Sequence, residues 1–130
     1  MVYYFIDVFE IYSFKKKETK IELKTKSHSF GEYTMKEISK GIVLLQKKDN
    51  CLYSDINGNV IEKEKEKCDK KGDCTCETLN SYSARVYFKK HENEDGTIML
   101  QNLQNNLYLY NNNGTLGLTS EITNDCKFII

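Results

Sequence analysis

Apolar and polar positions in this chain alternate in short runs, and no stretch of 11 residues keeps the 3.6-residue period of a helix. Residues 21–26 read Ile-Glu-Leu-Lys-Thr-Lys, the period-2 pattern of a half-buried strand. Residues 32–38 alternate again, with Tyr33, Met35 and Glu37 on one face. Residues 2–6 and 10–14 are aromatic and β-branched, a strand composition. Further strands are predicted at 42–46, 51–55, 59–62, 74–79, 84–90, 97–101, 107–110, 115–118 and 127–130. Turn signals separate them: a basic tip at 15–18, Lys47-Lys48-Asp49, Asn57-Gly58, a polar loop at 89–96 and residues 111–114. Asn57-Gly58 is the strongest hairpin signal, since both central positions of a type I′ turn want positive φ. The charge run 62–71, EKEKEKCDKK, reads as a solvated arm, because its Glu and Lys do not concentrate at the i,i+4 spacing of one helix face.

The runs repeat. GIVLLQKKDNCLY (41–53) and GTIMLQNLQNNLY (96–108) share Gly, Leu, Gln, Asn, Leu and Tyr at an offset of 55. At an offset of 41, Ile11-Tyr12-Ser13 falls on Leu52-Tyr53-Ser54, and residues 31–38 fall on 72–79. Asp125-Cys126-Lys127-Phe128 echoes Asp73-Cys74-Thr75-Cys76. Three units follow, approximately 1–40, 41–95 and 96–130. None could bury its apolar face alone, and three around a pseudo-threefold axis could. The prediction is an all-β single domain over 1–130, a β-trefoil of about twelve strands in three pseudo-symmetric units. Its core is expected to hold Val43 or Leu45, Leu52, Val60, Leu100, Leu107, Leu116 and Phe128.

The chain resembles the β-trefoil cytokines of the interleukin-1 family, with the fibroblast growth factor family second. The interleukin-1 resemblance lies in residues 86–110, VYFKKHENEDGTIMLQNLQNNLYLY, where Met99, Leu107, Tyr108 and Leu109 take the large apolar positions. Gln101 and Asn105 stand where that family prefers Ser and Pro. The tail 119–130, TSEITNDCKFII, is similar to the family's closing strand. The growth-factor resemblance lies in Asn57-Gly58-Asn59-Val60 followed by Asp73-Cys74. Either resemblance implies a ligand of a cell-surface receptor.

Charge changes this picture little. Lys and Arg number 19, as do Asp and Glu, and only Arg85 is Arg, which speaks against nucleic-acid and phosphate partners. No apolar run reaches the length of a membrane-spanning helix. The opening residues carry Asp7 and Glu10 and lack a basic n-region. Secretion is expected by an unconventional route or with the signal removed, with a cytoplasmic location as the alternative. The five cysteines are odd in number. Cys51, Cys76 and Cys126 read as small hydrophobes on strands. If a disulfide forms, Cys68 with Cys74 is the first pair to consider, because residues 69–73 make a tight loop between them.

No nucleophile elbow, phosphate loop or HExxH motif occurs. His28 and His91 fall in polar loops, and no catalytic residue, metal site or cofactor is expected. A glycan-binding trefoil is the rival reading, and an intracellular structural trefoil a third. Gln46 and Gln101 recur, but at strand ends where a structural role fits better, and Trp is absent. A growth-factor-type heparin site would need basic residues in the third unit, where only Lys127 follows Lys90. The expected function is therefore a non-enzymatic, monomeric, cytokine-like ligand of a receptor ectodomain, agonist or antagonist. Its contacts are expected on loops, at Lys15, Lys16, Lys17, Glu64, Lys65, Lys67, Lys89, Lys90 and Glu92.

Overall fold

In a computed structural model, which describes residues 17–48, 50–55, 57–64 (61–64 as backbone) and 85–130, the chain is all-β and antiparallel. Nine strands join in one sheet: β1 (Lys17–Lys24), β2 (Ser29–Ser39), β3 (Ile42–Lys47), β4 (Asn50–Ser54), β5 (Val60–Glu64), β6 (Tyr87–Glu92), β7 (Ile98–Asn102), β8 (Tyr108–Asn112) and β9 (Thr115–Thr119). A 3-10 turn, Asn124–Cys126, precedes the C-terminal residues. The strands expected at 2–6, 10–14 and 74–79 lie outside the described residues.

One pairing pattern recurs three times. Ile21 faces Tyr33, Val43 faces Phe88, and Ile98 faces Phe128. One residue along from each aromatic, Thr34 faces Gln46, Lys89 faces Gln101, and Ile129 faces Lys24. The last of these returns the C-terminal segment to β1, and the Ile129 N–H donates to the Lys24 carbonyl at 2.8 Å. Alternation then sends a second apolar set inward: Leu23, Leu45 and Leu100, with Leu52 and Leu109 from the side hairpins. All of these are buried in one cluster, with Val60 and Leu116 packed half-buried against it. A cross-strand aromatic opposite a β-branched residue is a favourable sheet pair, and here it supplies each side of the core.

A smaller apolar cluster occupies the other face of β3 and β6. It contains Ile42, Leu44, Cys51, Tyr53, Tyr87 and Leu103. That explains the unbroken run Ile42-Val43-Leu44-Leu45, a pattern of strands buried on both faces.

The expected core holds at Val43, Leu45, Leu52, Leu100 and Phe128, and fails at Leu107, which is only half-buried. Leu109 takes its place, with no exposed surface. The cause is the turn. Gln46 faces Cys51, whereas Gln101 faces Tyr108, so the β7–β8 turn holds two more residues than the β3–β4 turn. Leu52 therefore corresponds to Leu109, 57 residues on, and not to Leu107.

Other expectations are corrected. Lys17 and Glu18 begin β1 and are no turn tip. Strand β6 continues to Glu92, which reduces the loop expected at 89–96 to residues 93–97. Residues 62–64 of the supposed arm pair with β4, and residues 65–71 lie outside the described residues. Residues 31–38 correspond by register to 86–93, because Tyr33 takes the place of Phe88. The C-terminal residues form two bridges and no longer strand. Asn113-Gly114, not Asn57-Gly58, makes the tight hairpin turn, with φ of 51° and 91° between the paired Asn112 and Thr115. Around Asn57 the chain takes a longer turn instead, organised by the Asp55 carboxylate, which accepts from the Asn57 and Asn59 N–H groups at 2.9 and 2.8 Å.

These assignments separate two neighbouring leucines. Leu109→Ala should cost about 2–5 kcal/mol in urea unfolding, as buried leucines do. Leu107→Ala should cost less than about half of that; equal losses would contradict the register described.

Candidate partner-binding surface

Because the strands are antiparallel, the start of β1, the turn from β2 to β3 and the turn from β6 to β7 all lie at corresponding strand ends. These segments bring three of the expected contact residues together. Lys17 is exposed and paired in register with Glu37. The Lys90 ammonium lies 3.3 Å from the Glu37 carboxylate and 3.8 Å from that of Glu92. The side chains of Lys90 and Glu37 keep only 21% and 18% of their surface, so Lys90 is a structural ion-pair partner more than a free contact. Its N–H also donates to the Gly41 carbonyl at 2.8 Å. Glu92 is exposed, while Lys89 is half-buried and already engaged. Glu64 lies on β5, away from this group, and Lys15, Lys16, Lys65 and Lys67 lie outside the described residues.

Sequence reasoning missed Glu37 as the hub and Lys40 as an exposed basic residue in the adjoining turn. The signal for Glu37 was its place in the alternation of residues 32–38, with Val43 facing it in β3. Gly41 and Gly96 close the two turns with φ of 77° and 86°. A Cβ would meet nothing within 4 Å at either position, so backbone conformation and not space requires glycine.

The 93–97 turn is held by its own side chains. The Asn93 N–H donates to the Thr97 carbonyl, and the Gly96 N–H to the Asn93 carbonyl, at 2.8 and 3.1 Å. The Asn93 amide donates to the Thr97 hydroxyl, which donates to the Asp95 carboxylate. The Thr97 N–H donates to the same carboxylate at 3.0 Å, and Lys127 approaches it at 3.6 Å. Thr97's hydroxyl first, then its N–H, hold the Asp95 carboxyl below its ordinary 3.8; desolvation opposes them, and Lys127 adds to the lowering. Glu94, Asp95 and Gly96 of this fixed turn are exposed, as is Glu92 at the end of β6. The turn displays acidic groups at the same strand ends as the exposed Lys17 and Lys40 without having to be ordered on binding.

The recurring glutamines are structural. Gln46 donates to the Lys48 carbonyl at 2.8 Å, and Gln101 to the Asn106 carbonyl at 3.0 Å. Lys48 and Asn106 are both turn residues with positive φ, 55° and 62°. His91 is on β6 and not in a loop, with Nε2 2.9 Å from Gln101 Oε1. Since the Gln101 amide nitrogen is spent on Asn106, His91 Nε2 carries the proton and donates. His28 is exposed and meets Phe30 edge-on at 4.7 Å. Among the described residues, no group of three or more His, Cys, Asp or Glu is placed to hold a metal.

Cys51 is disulfide-bonded, which corrects its reading as a simple buried hydrophobe. Cys126 is a buried free thiol, as expected, but on the 3-10 turn and not a strand. Cys68, Cys74 and Cys76 lie outside the described residues.

Two measurements follow. Since its folded pKa is depressed, Asp95 stabilises the turn above the unfolded value, and this is lost as pH falls through the folded value. Its carboxyl resonance should titrate below 3.8, and a midpoint at or above 3.8 would contradict the turn geometry. Five cysteines less one bonded pair leaves at most three reactive thiols under denaturing, non-reducing labelling; five would exclude the Cys51 bond.

No protein-family model matches the chain, and no curated protein or solved structure matches it.

Proposed function

We propose that the chain is a β-trefoil and acts as a non-enzymatic, cytokine-like ligand of a cell-surface receptor. The threefold recurrence of the Ile21–Tyr33, Val43–Phe88 and Ile98–Phe128 pairings supports the fold. On this reading β1, β2, β3, β6, β7 and the C-terminal segment form the six-stranded barrel, with hairpins β4–β5 and β8–β9 beside it. The first unit joins its two barrel strands through residues 25–28 alone, where the others carry a hairpin. The Cys51 disulfide favours an oxidising, extracellular setting.

The observation that carries the function is the fixed 93–97 turn, whose exposed acidic groups follow Glu92 at the same strand ends as the exposed Lys17 and Lys40. A rigid scaffold presenting a preordered charged loop suits protein recognition, in which charge steers encounter and sets specificity. The glycan-binding alternative loses its best candidates, since Gln46 and Gln101 spend their amide nitrogens on turn carbonyls.

A panel of receptor ectodomains, screened beside a glycan array, tests the reading. At least one ectodomain should bind saturably. Reversing Glu92 and Glu94 to Lys together should weaken that complex about tenfold or more, mainly in association rate and most at low salt, and leave the melting temperature unchanged. Binding confined to glycans, or an ectodomain complex indifferent to the double reversal, would refute it.

A further inference from the structure

At the opposite strand ends, a pocket of about 330 Å³ opens between hairpins β4–β5 and β8–β9. Leu52 and Tyr33 of the main core lie at its base, and Phe30, Val60 and Leu116 line it further out. Val60 and Leu116 occupy the same place in their hairpins: Val60 faces Ser54, and Leu116 faces Asn111. Among the described residues no third hairpin stands beside them, since at residues 25–28 β1 turns directly into β2. The pocket is the space left between two hairpins and the start of β2.

One wall is charged for a reason visible in the register. Val43, Leu45 and Lys47 alternate along β3, so Lys47 stands at a core-facing position. The matching positions on the other strands are Thr25 and Asn102, both buried and neutral. The Asn102 amide donates to the Arg85 carbonyl at 2.9 Å, and its oxygen accepts from the Gln104 N–H at 3.0 Å. The Thr25 hydroxyl accepts from Asn111 at 3.5 Å. Lys47 carries a full charge in their place. Its Nζ donates to the Phe30 carbonyl at 3.3 Å and lies 5.3 Å from the centre of the Tyr33 ring. Among the described residues, no carboxylate lies within ion-pair distance of it. An ammonium has three donors, and one neutral carbonyl satisfies only one. A half-buried cation against apolar walls favours an anion with an apolar body.

We propose that this pocket binds a small organic acid, its carboxylate on Lys47 Nζ and its aliphatic or single-ring body against Leu52, Val60 and Leu116. The carboxylate completes the donors of Lys47, and the body reaches Leu52 at the base and covers Val60 and Leu116, which the two hairpins leave half-exposed. The proposal is independent of the receptor reading.

Titrations of the protein with 3-phenylpropanoate and with 3-phenylpropan-1-ol, read on the methyl resonances of Leu52, Val60 and Leu116, test it. The acid should shift these resonances saturably, and the alcohol should bind about tenfold more weakly, the worth of one charge-assisted hydrogen bond. Lys47→Met should remove that preference while keeping the parental methyl dispersion, and Lys47→Gln gives the same test should Met disturb the strand end. Leu116→Trp should fill the space and abolish binding of both. Equal affinity for acid and alcohol, a preference that survives loss of the charge, acid binding that survives Leu116→Trp, or no saturable shift up to about 5 mM, well beyond useful affinity, would each overturn the proposal.

Discussion

The structure depends on one cross-strand contact made three times. An aromatic ring, from Tyr33, Phe88 or Phe128, lies opposite a β-branched side chain, from Ile21, Val43 or Ile98. All six are buried together. Because side chains alternate along a strand, fixing these pairs also fixes the leucines two residues further on, Leu23, Leu45 and Leu100. A slip of one residue in any of the strands would turn the whole set outward. Polar contacts lock the hairpin end once this register is set. Asn105 donates to Ser54 at 2.8 Å, and Asn111 to Ser27 at 3.1 Å, joining each hairpin loop to a neighbouring segment.

Much of this is legible in the sequence. The alternation in residues 21–26 and 32–38 marks β1 and β2, and the Gly-to-Gln repeat marks β3 and β7 at their true offset of 55. What misled lies after the turns. The run Leu107-Tyr108-Leu109-Tyr110 has a period of two, so it matches Leu52-Tyr53 equally well in either of two alignments. Only the number of residues in the turn decides between them, and it is a tertiary property. Asn57-Gly58 carries the hairpin signal, yet Asp55 claims its N–H neighbours and draws the chain into a wider turn. The candidate surface was half legible. Composition marks Lys17, Lys90 and Glu92 as charged, but it cannot show that Glu37, 53 residues before Lys90, takes up its ammonium.

The two ends of the strands thus differ in character. One is charged and tied down by short, internally bonded turns, which suits a protein face. The other keeps apolar side chains and the Lys47 ammonium around a pocket, which suits a small molecule. Both arise from the same alternation, since what an inward position presents at a strand's end depends on whether another strand or hairpin stands there to cover it.

The pairing of Lys24 with Ile129 has a consequence for how the chain acquires its structure. The two residues are separated by roughly a hundred positions, so their contact closes one of the longest loops the chain can form and is costly in entropy until the intervening strands are in place. Local hairpins such as β8–β9 can form within microseconds, whereas this joint must wait for nearly the whole sheet. During synthesis it cannot form until Ile129 has left the ribosome. Until then, among the described residues, the edge of β1 that meets Ile129 has no partner, the kind of surface that invites intermolecular strand pairing and that chaperones protect.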